Sequence, residues 1–149
     1  MTKFFETSVD KFTFKVAMGL FYSAEGVWVK PEGNRVRVGL SDFVQQRSGD
    51  VAFAEVKPAG TVLVAGAELA NIETIKVTIT YASPVDGKVL EVNPAVNEAP
   101  EAINQDPYGA GWLALIEVSD WESQRSKLLD SQAYFMVMKG QAEEAAKKP

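Results

Sequence analysis

The chain has 149 residues, 46% of them hydrophobic and 23% charged, enough apolar content for one globular domain to enclose a core. A formal charge of −5 excludes the basic stripe that phosphate backbones require, and no apolar run reaches membrane-spanning length, so neither nucleic acid nor membrane is an expected partner and the cytoplasm is the expected location. Cys and His are both absent, which removes disulfides, thiolate nucleophiles, the commonest metal ligand and the usual neutral-pH proton shuttle; a hydrolase triad and a zinc site are excluded with them.

One domain is expected over 1–149. Residues 1–20 read as an N-terminal extension with a first strand, in which Phe12, Phe14 and Val16 alternate with polar residues. Val27 to Lys30 and Arg35 to Val38 flank Pro31-Glu-Gly-Asn34, a turn composition that makes them a hairpin. Ser41 is placed to cap a short helix carrying Phe43, Val44 and Arg47, which Gly49 would end. Strands are then predicted over 51–56, 61–64, 72–81, 88–92 and 112–118. Tyr108-Gly-Ala-Gly-Trp112 lacks the third glycine and following helix of a dinucleotide fingerprint and reads as a turn. From Asp120 the spacing of Trp121, Leu128, Leu129, Phe135 and Met138 predicts helix, and residues 141–149 read as a frayed polar tail. Glu98 with Glu101, and Glu143 with Glu144, fall in polar stretches and read as solvated faces.

Within the 72–81 segment, strict alternation places Thr74, Lys76, Thr78 and Thr80 on one face and Ile75, Val77, Ile79 and Tyr81 on the other. Nothing local signals a turn, since the stretch is β-branched and holds neither Gly nor Asn. From the residues alone Lys76 is a gatekeeper charge on a half-buried strand. A short repeat surrounds it: Gly60-Thr-Val-Leu-Val64 recurs as Gly87-Lys-Val-Leu-Glu91.

The ordered segments resemble a known family. Glu73 stands three residues before Lys76, and Ser83, Pro84 and Gly87 follow; Gly39 to Asp50, Glu55 to Gly60, Gly87 to Asn93 and Asn104 to Leu113 continue the match. Together they resemble the glycine-cleavage H proteins, lipoyl carriers that are not themselves enzymes. The resemblance implies a mainly β fold, a flattened β-sandwich (barrel-sandwich hybrid) of the lipoyl and biotinyl type, with a short internal helix and a C-terminal helix. It implies lipoic acid in amide linkage to Lys76 at a turn between the two halves. Glu73 would be the mark recognised by a lipoate-protein ligase or lipoyl transferase. Biotin is disfavoured because Ile75 and Val77 stand where biotin carriers have methionines.

Three positions depart from the family pattern. Val27 replaces the Glu before the first Trp, Arg47 replaces a helix His, and Thr80 replaces an Asp four residues past the lysine. If Val27, Arg47 and Thr80 line the cargo cleft, it lacks carboxylates for a cationic amine. In that respect the chain is similar to lipoate-binding proteins linked to heterodisulfide-reductase-like sulfur oxidation. The leading expectation is therefore a lipoyl carrier shuttling a covalently bound intermediate to a heterodisulfide-reductase-like complex. The alternative is an H protein carrying aminomethyl between glycine-cleavage enzymes, and a second alternative is an unmodified H-protein-like scaffold.

Overall fold

The computed structural model describes residues 2–147. A hairpin of β1 (Phe4–Val9) and β2 (Phe12–Ala17) comes first, followed by β3 (Phe21–Tyr22), β4 (Val27–Glu32), β5 (Arg35–Leu40), α1 (Asp42–Ser48) and β6 (Val51–Val56). The middle of the chain holds β7 (Val62–Leu63), β8 (Glu68–Thr74), β9 (Thr78–Ala82), β10 (Gly87–Val92), α2 (Ala95–Glu98) and α3 (Ala102–Gln105). It ends with β11 (Ala114–Glu117), α4 (Trp121–Arg125), β12 (Leu129–Asp130) and α5 (Ser131–Ala146).

The fold is the expected β-sandwich. A seven-stranded sheet runs β12-β3-β4-β5-β11-β10-β7, and a three-stranded sheet runs β6-β8-β9. One apolar cluster joins them, with Val36, Val38 and Leu40 of β5, Ile116 of β11 and Val89 of β10 on one side and Ala54, Ile72 and Tyr81 of the smaller sheet on the other. Strand alternation makes this possible: in β5 Val36 and Val38 are buried while Arg35 is exposed and Arg37 half-buried. The repeated segments around Lys76 pair with each other, Leu63 opposite Gly87 and Val62 opposite Lys88.

Four expectations need correction. The N-terminal extension holds two strands, because Phe4 to Val9 pairs in register with Phe12 to Ala17; β1 has no buried position to mark it in the sequence pattern. Residues 72–81 are not one strand but the end of β8, a turn, and β9. The helix expected from Asp120 is interrupted: Leu129 and Asp130 pair with Tyr22 and Phe21, and Asp130 then caps α5 by accepting the Ala133 amide at 2.8 Å. Residues 141–146 are not frayed, since α5 continues to Ala146 with Ala142 buried; Lys148 and Pro149 lie outside the described residues.

Three tyrosines fasten the N-terminal hairpin and α5 to the sandwich. Tyr22 stacks on Tyr134 with ring centroids 4.4 Å apart and planes 8° from parallel. The Tyr22 hydroxyl donates to the Ala17 carbonyl at 2.8 Å. Tyr108 donates to the Lys15 carbonyl at 2.8 Å and accepts the Asp42 amide at 3.2 Å, so β2 and α1 meet on one phenol oxygen. Burial raises all three phenols above their ordinary value, Tyr134 to about 12.

These phenols make stability fall at high pH. The unfolded phenols ionise near about pH 10 while the folded ones keep their protons, so the unfolded state binds fewer protons above that value and stability declines with further rise in pH. A denaturant midpoint followed by circular dichroism should be flat from neutral pH up to about pH 10 and then drop. The drop should be shallower in Tyr134→Phe; an unchanged midpoint through alkaline pH would remove these phenols from the account.

Candidate functional site

Lys76 lies at the tip of the β8–β9 hairpin, and one threonine makes that turn without glycine. The Thr74 amide donates to the Val77 carbonyl at 2.8 Å. The Thr74 hydroxyl accepts from the amides of Lys76 at 3.2 Å and Val77 at 3.1 Å and also reaches the Val77 carbonyl at 3.1 Å. A side-chain oxygen thereby takes the place of the sharp-turn residues that were missing from the sequence. The Ile75 amide adds a bond to the Asp50 carbonyl at 3.3 Å, which holds the tip over the end of α1.

Helix α1 sits where it does because both its ends are fixed. Ser41 accepts the Val44 amide at 3.3 Å as N-cap. Gly49 closes the other end at φ +90°, a conformation that side chains resist. Asn104 of α3 then clamps the exit by donating to Gln45 Oε1 at 3.0 Å and the Gly49 carbonyl at 2.9 Å and accepting the Val51 amide at 2.8 Å. The lysine chain folds back over this corner. Its Nζ reaches the Arg47 carbonyl at 3.5 Å, and its Cε lies 3.0 Å from where a β-carbon on Gly49 would stand.

A cleft of about 520 Å³ opens beside Lys76, lined by Glu25, Phe43, Val44, Arg47, Ser48, Val77, Ile79, Tyr81 and Gln141. Its floor is apolar, with a few polar groups in fixed positions, as small-ligand sites usually are. Glu25 accepts the Ala82 amide at 2.7 Å. The Ser48 and Tyr81 hydroxyls lie 3.1 Å apart. Burial raises the Tyr81 phenol; the Ser48 hydrogen bond opposes this, Glu25 adds to it and Arg47 offsets it. One anion and one cation therefore act on the same phenol.

Of the sequence-predicted cleft residues, only Arg47 lines it. Val27 is fully buried on β4, paired with Leu40. Thr80 is exposed and bonds the Asn71 side chain; alternation along β9 turns it away from Ile79 and Tyr81, which do line the cleft. The expectation of a cleft without carboxylates is corrected by Glu25, which stands two residues before Val27, ahead of the left-handed Gly26 (φ +95°). Glu73 is exposed on β8, three residues from the tip. Sequence reading also missed Tyr81, although its alternation with Ile79 was visible. Gln141 was missed because it comes from a helix far along the chain.

A model of the glycine cleavage H-protein family matches residues 20–141. The chain belongs to this family. Similar proteins include the glycine cleavage system H protein of Coprothermobacter proteolyticus, 48% identical over 107 residues, 71% of this chain and 84% of that protein. The H protein of Thermus thermophilus is 37% identical over 122 residues, covering 82% of this chain and 94% of its own length. Among solved structures, a glycine cleavage system H protein from Mycobacterium marinum superposes with a TM-score of 0.66 at 28% identity, covering 77% of this chain and 92% of that one. No helix among the described residues is long and apolar enough to cross a membrane.

Two substitutions test the tip and its support. Thr74→Val keeps the shape but removes the acceptor of two amides, and is expected to cost about 1 kcal/mol in denaturant unfolding. Gly49→Ala forces a side chain into a glycine-only conformation beneath the lysine chain; a loss of about 1–3 kcal/mol is expected. No loss in either variant would show that the tip does not rest on these contacts.

Proposed function

We propose that this chain is the lipoyl carrier of a glycine-cleavage system, bearing lipoate in amide linkage to Lys76 Nζ and carrying aminomethyl between the enzymes of that system. The observation that supports it most is the placement of an exposed lysine at a hairpin tip, beside a cleft whose polar wall includes Glu25. The residues fit the group: the amine is free of any carboxylate partner among the described ion pairs, and Gly49 leaves room for the chain where a β-carbon would crowd it. When bound, lipoate supplies a reducible disulfide at the end of a flexible arm. The chain's own part is to hold and deliver, and tethering raises the local concentration of the cargo at each partner enzyme.

The sulfur-oxidation role anticipated from Val27, Arg47 and Thr80 loses its support. Two of those residues stand outside the cleft, and the similar proteins above carry names from glycine cleavage. Glu25 offers the acceptor that a protonated amine needs. Arg47 opposes it, but its guanidinium is exposed and solvent-screened. Ser48 and Tyr81 present hydroxyls to the same space. We assign Glu73 to recognition by a lipoate ligase or transferase, a role consistent with its exposure near the tip.

Intact mass and peptide mapping after treatment with a lipoate ligase should place one lipoyl group on Lys76, absent in Lys76→Arg, which should fold normally. Glu73→Ala should slow the initial rate with little change in stability. The loaded protein should then support glycine-dependent exchange with glycine decarboxylase. Lipoylation at Lys57 or Lys88 would defeat the site assignment, and absence of exchange would defeat the glycine-cleavage role. Glu25→Gln should release an amine cargo about tenfold faster, the loss expected from about 1.4 kcal/mol of charge-assisted bonding.

A further inference from the structure

A second cavity, of about 380 Å³, shares Phe43, Arg47 and Lys76 with the cleft described above. Phe12 and Phe14 of the N-terminal hairpin, Phe43 of α1, and Ala142 and Ala145 at the end of α5 line it. The rings make a continuous surface: Phe12 and Phe14 stack at 6.2 Å, and Phe14 meets Phe43 edge-on at 5.2 Å. Phe12 is nonetheless 59% exposed. Phe12, Phe14, Ala142 and Ala145 fall outside residues 20–141, the span that matches the family, while Phe43, Gln46, Arg47 and Lys76 lie within it.

Arg47 and Lys76 line this cavity and the cleft described above. Arg47 sits over the Phe43 ring, its Cζ 5.9 Å from the centroid, and Lys76 Nζ meets the Arg47 carbonyl. A chain attached to that nitrogen starts at the boundary between the two spaces. Their chemistry differs. The first offers Glu25 and the Ser48–Tyr81 hydroxyls; the second offers aromatic and alanine walls, with Asp10 at the hairpin turn and Gln46, whose amide already bonds Asp42 and the Thr13 carbonyl.

We propose that the second cavity is a resting seat for the unloaded acyl arm on Lys76, while the first receives the arm with a polar cargo. This rests on the lipoyl-carrier reading. Acylation removes the lysine charge, leaving an apolar methylene chain that gains by covering Phe12 and Phe14, and a sulfur ring adds favourable contact with aromatic edges. A polar cargo finds no partner among those rings and only Asp10 as a carboxylate there, whereas Glu25 acts together with the Ser48 and Tyr81 hydroxyls in the first cleft and draws the population to it.

The test uses the full chain acylated on Lys76 with ¹³C-labelled octanoate, loading verified by mass. Carbon-edited nuclear Overhauser spectra should show cross-peaks from the arm to the Phe12 and Phe14 rings. Ala145→Trp, which fills the second cavity from an exposed helix position, should abolish them and strengthen cross-peaks to Ile79 and Tyr81. Phe12→Ser should weaken the Phe14 cross-peaks without unfolding the chain. Cross-peaks confined to Val44, Ile79 and Tyr81, or none at all, would overturn the second seat. If the ligase leaves Lys76 untouched, the carrier reading fails on mass alone. The seat is then judged by the same cross-peaks in Lys76→Cys alkylated with N-hexyl iodoacetamide.

Discussion

One buried hydroxyl holds the functional end of the molecule together. Ser41 is fully buried, caps α1 through the Val44 amide, and lies 2.9 Å from the Tyr134 hydroxyl of α5. The helix that carries Arg47 and Ser48 is thus tied to the helix that carries Gln141 and Ala142. Gly26 makes this approach possible, because a β-carbon there would collide with Val44 and Tyr134. The Ser41 amide bonds the Gly26 carbonyl at 2.9 Å, linking the same point to the strand that follows Glu25. The junction therefore fixes α1 against α5, the helices that supply Phe43, Arg47, Gln141 and Ala142 to the cavities beside Lys76.

The segments that resemble the family have physical work in the fold apart from any cargo. Asn104 satisfies the turn between α1 and β6 with three hydrogen bonds. Ser83 bonds the Val85 carbonyl at 2.7 Å and turns the chain between the halves, and Gly87 lies against the Glu117 carbonyl, where no side chain fits. The Pro107 carbonyl accepts from the Trp28 indole at 2.9 Å, and Arg37 stacks on Trp112 at 4.2 Å. These contacts show why the motif is spread through the chain: Asn104, Ser83, Gly87, Pro107 and Trp112 each fix a different junction of the fold.

The reversal over cargo has a simple origin. Alignment to a family pattern identifies positions, but the direction of a side chain depends on strand phase and on the path of the loop before it. Val27 occupies a position where the family has a carboxylate, yet its strand turns it into the core; the carboxylate at the cleft comes from Glu25, in the loop ahead of a left-handed glycine. Counting substitutions along the chain implied a cleft without carboxylates. In the folded chain Glu25 and Arg47 both line the cleft and act in opposite directions on the Tyr81 phenol.

The sequence by itself determined the β-rich class, the Ser41–Gly49 helix and the strands β4, β5, β6, β10 and β11. Alternation and capping are local properties, and the motif is a linear pattern. Tertiary structure decided the rest. A β-branched run becomes a hairpin tip because the Thr74 hydroxyl is held at the right place, which no propensity encodes. Leu129 leaves the helix because β3 offers an open edge. The N-terminal hairpin and the end of α5, separated by more than a hundred residues of chain, enclose a cavity only once Tyr22, Tyr108 and Tyr134 bring them together. Contacts between segments that far apart leave no periodic trace in either one.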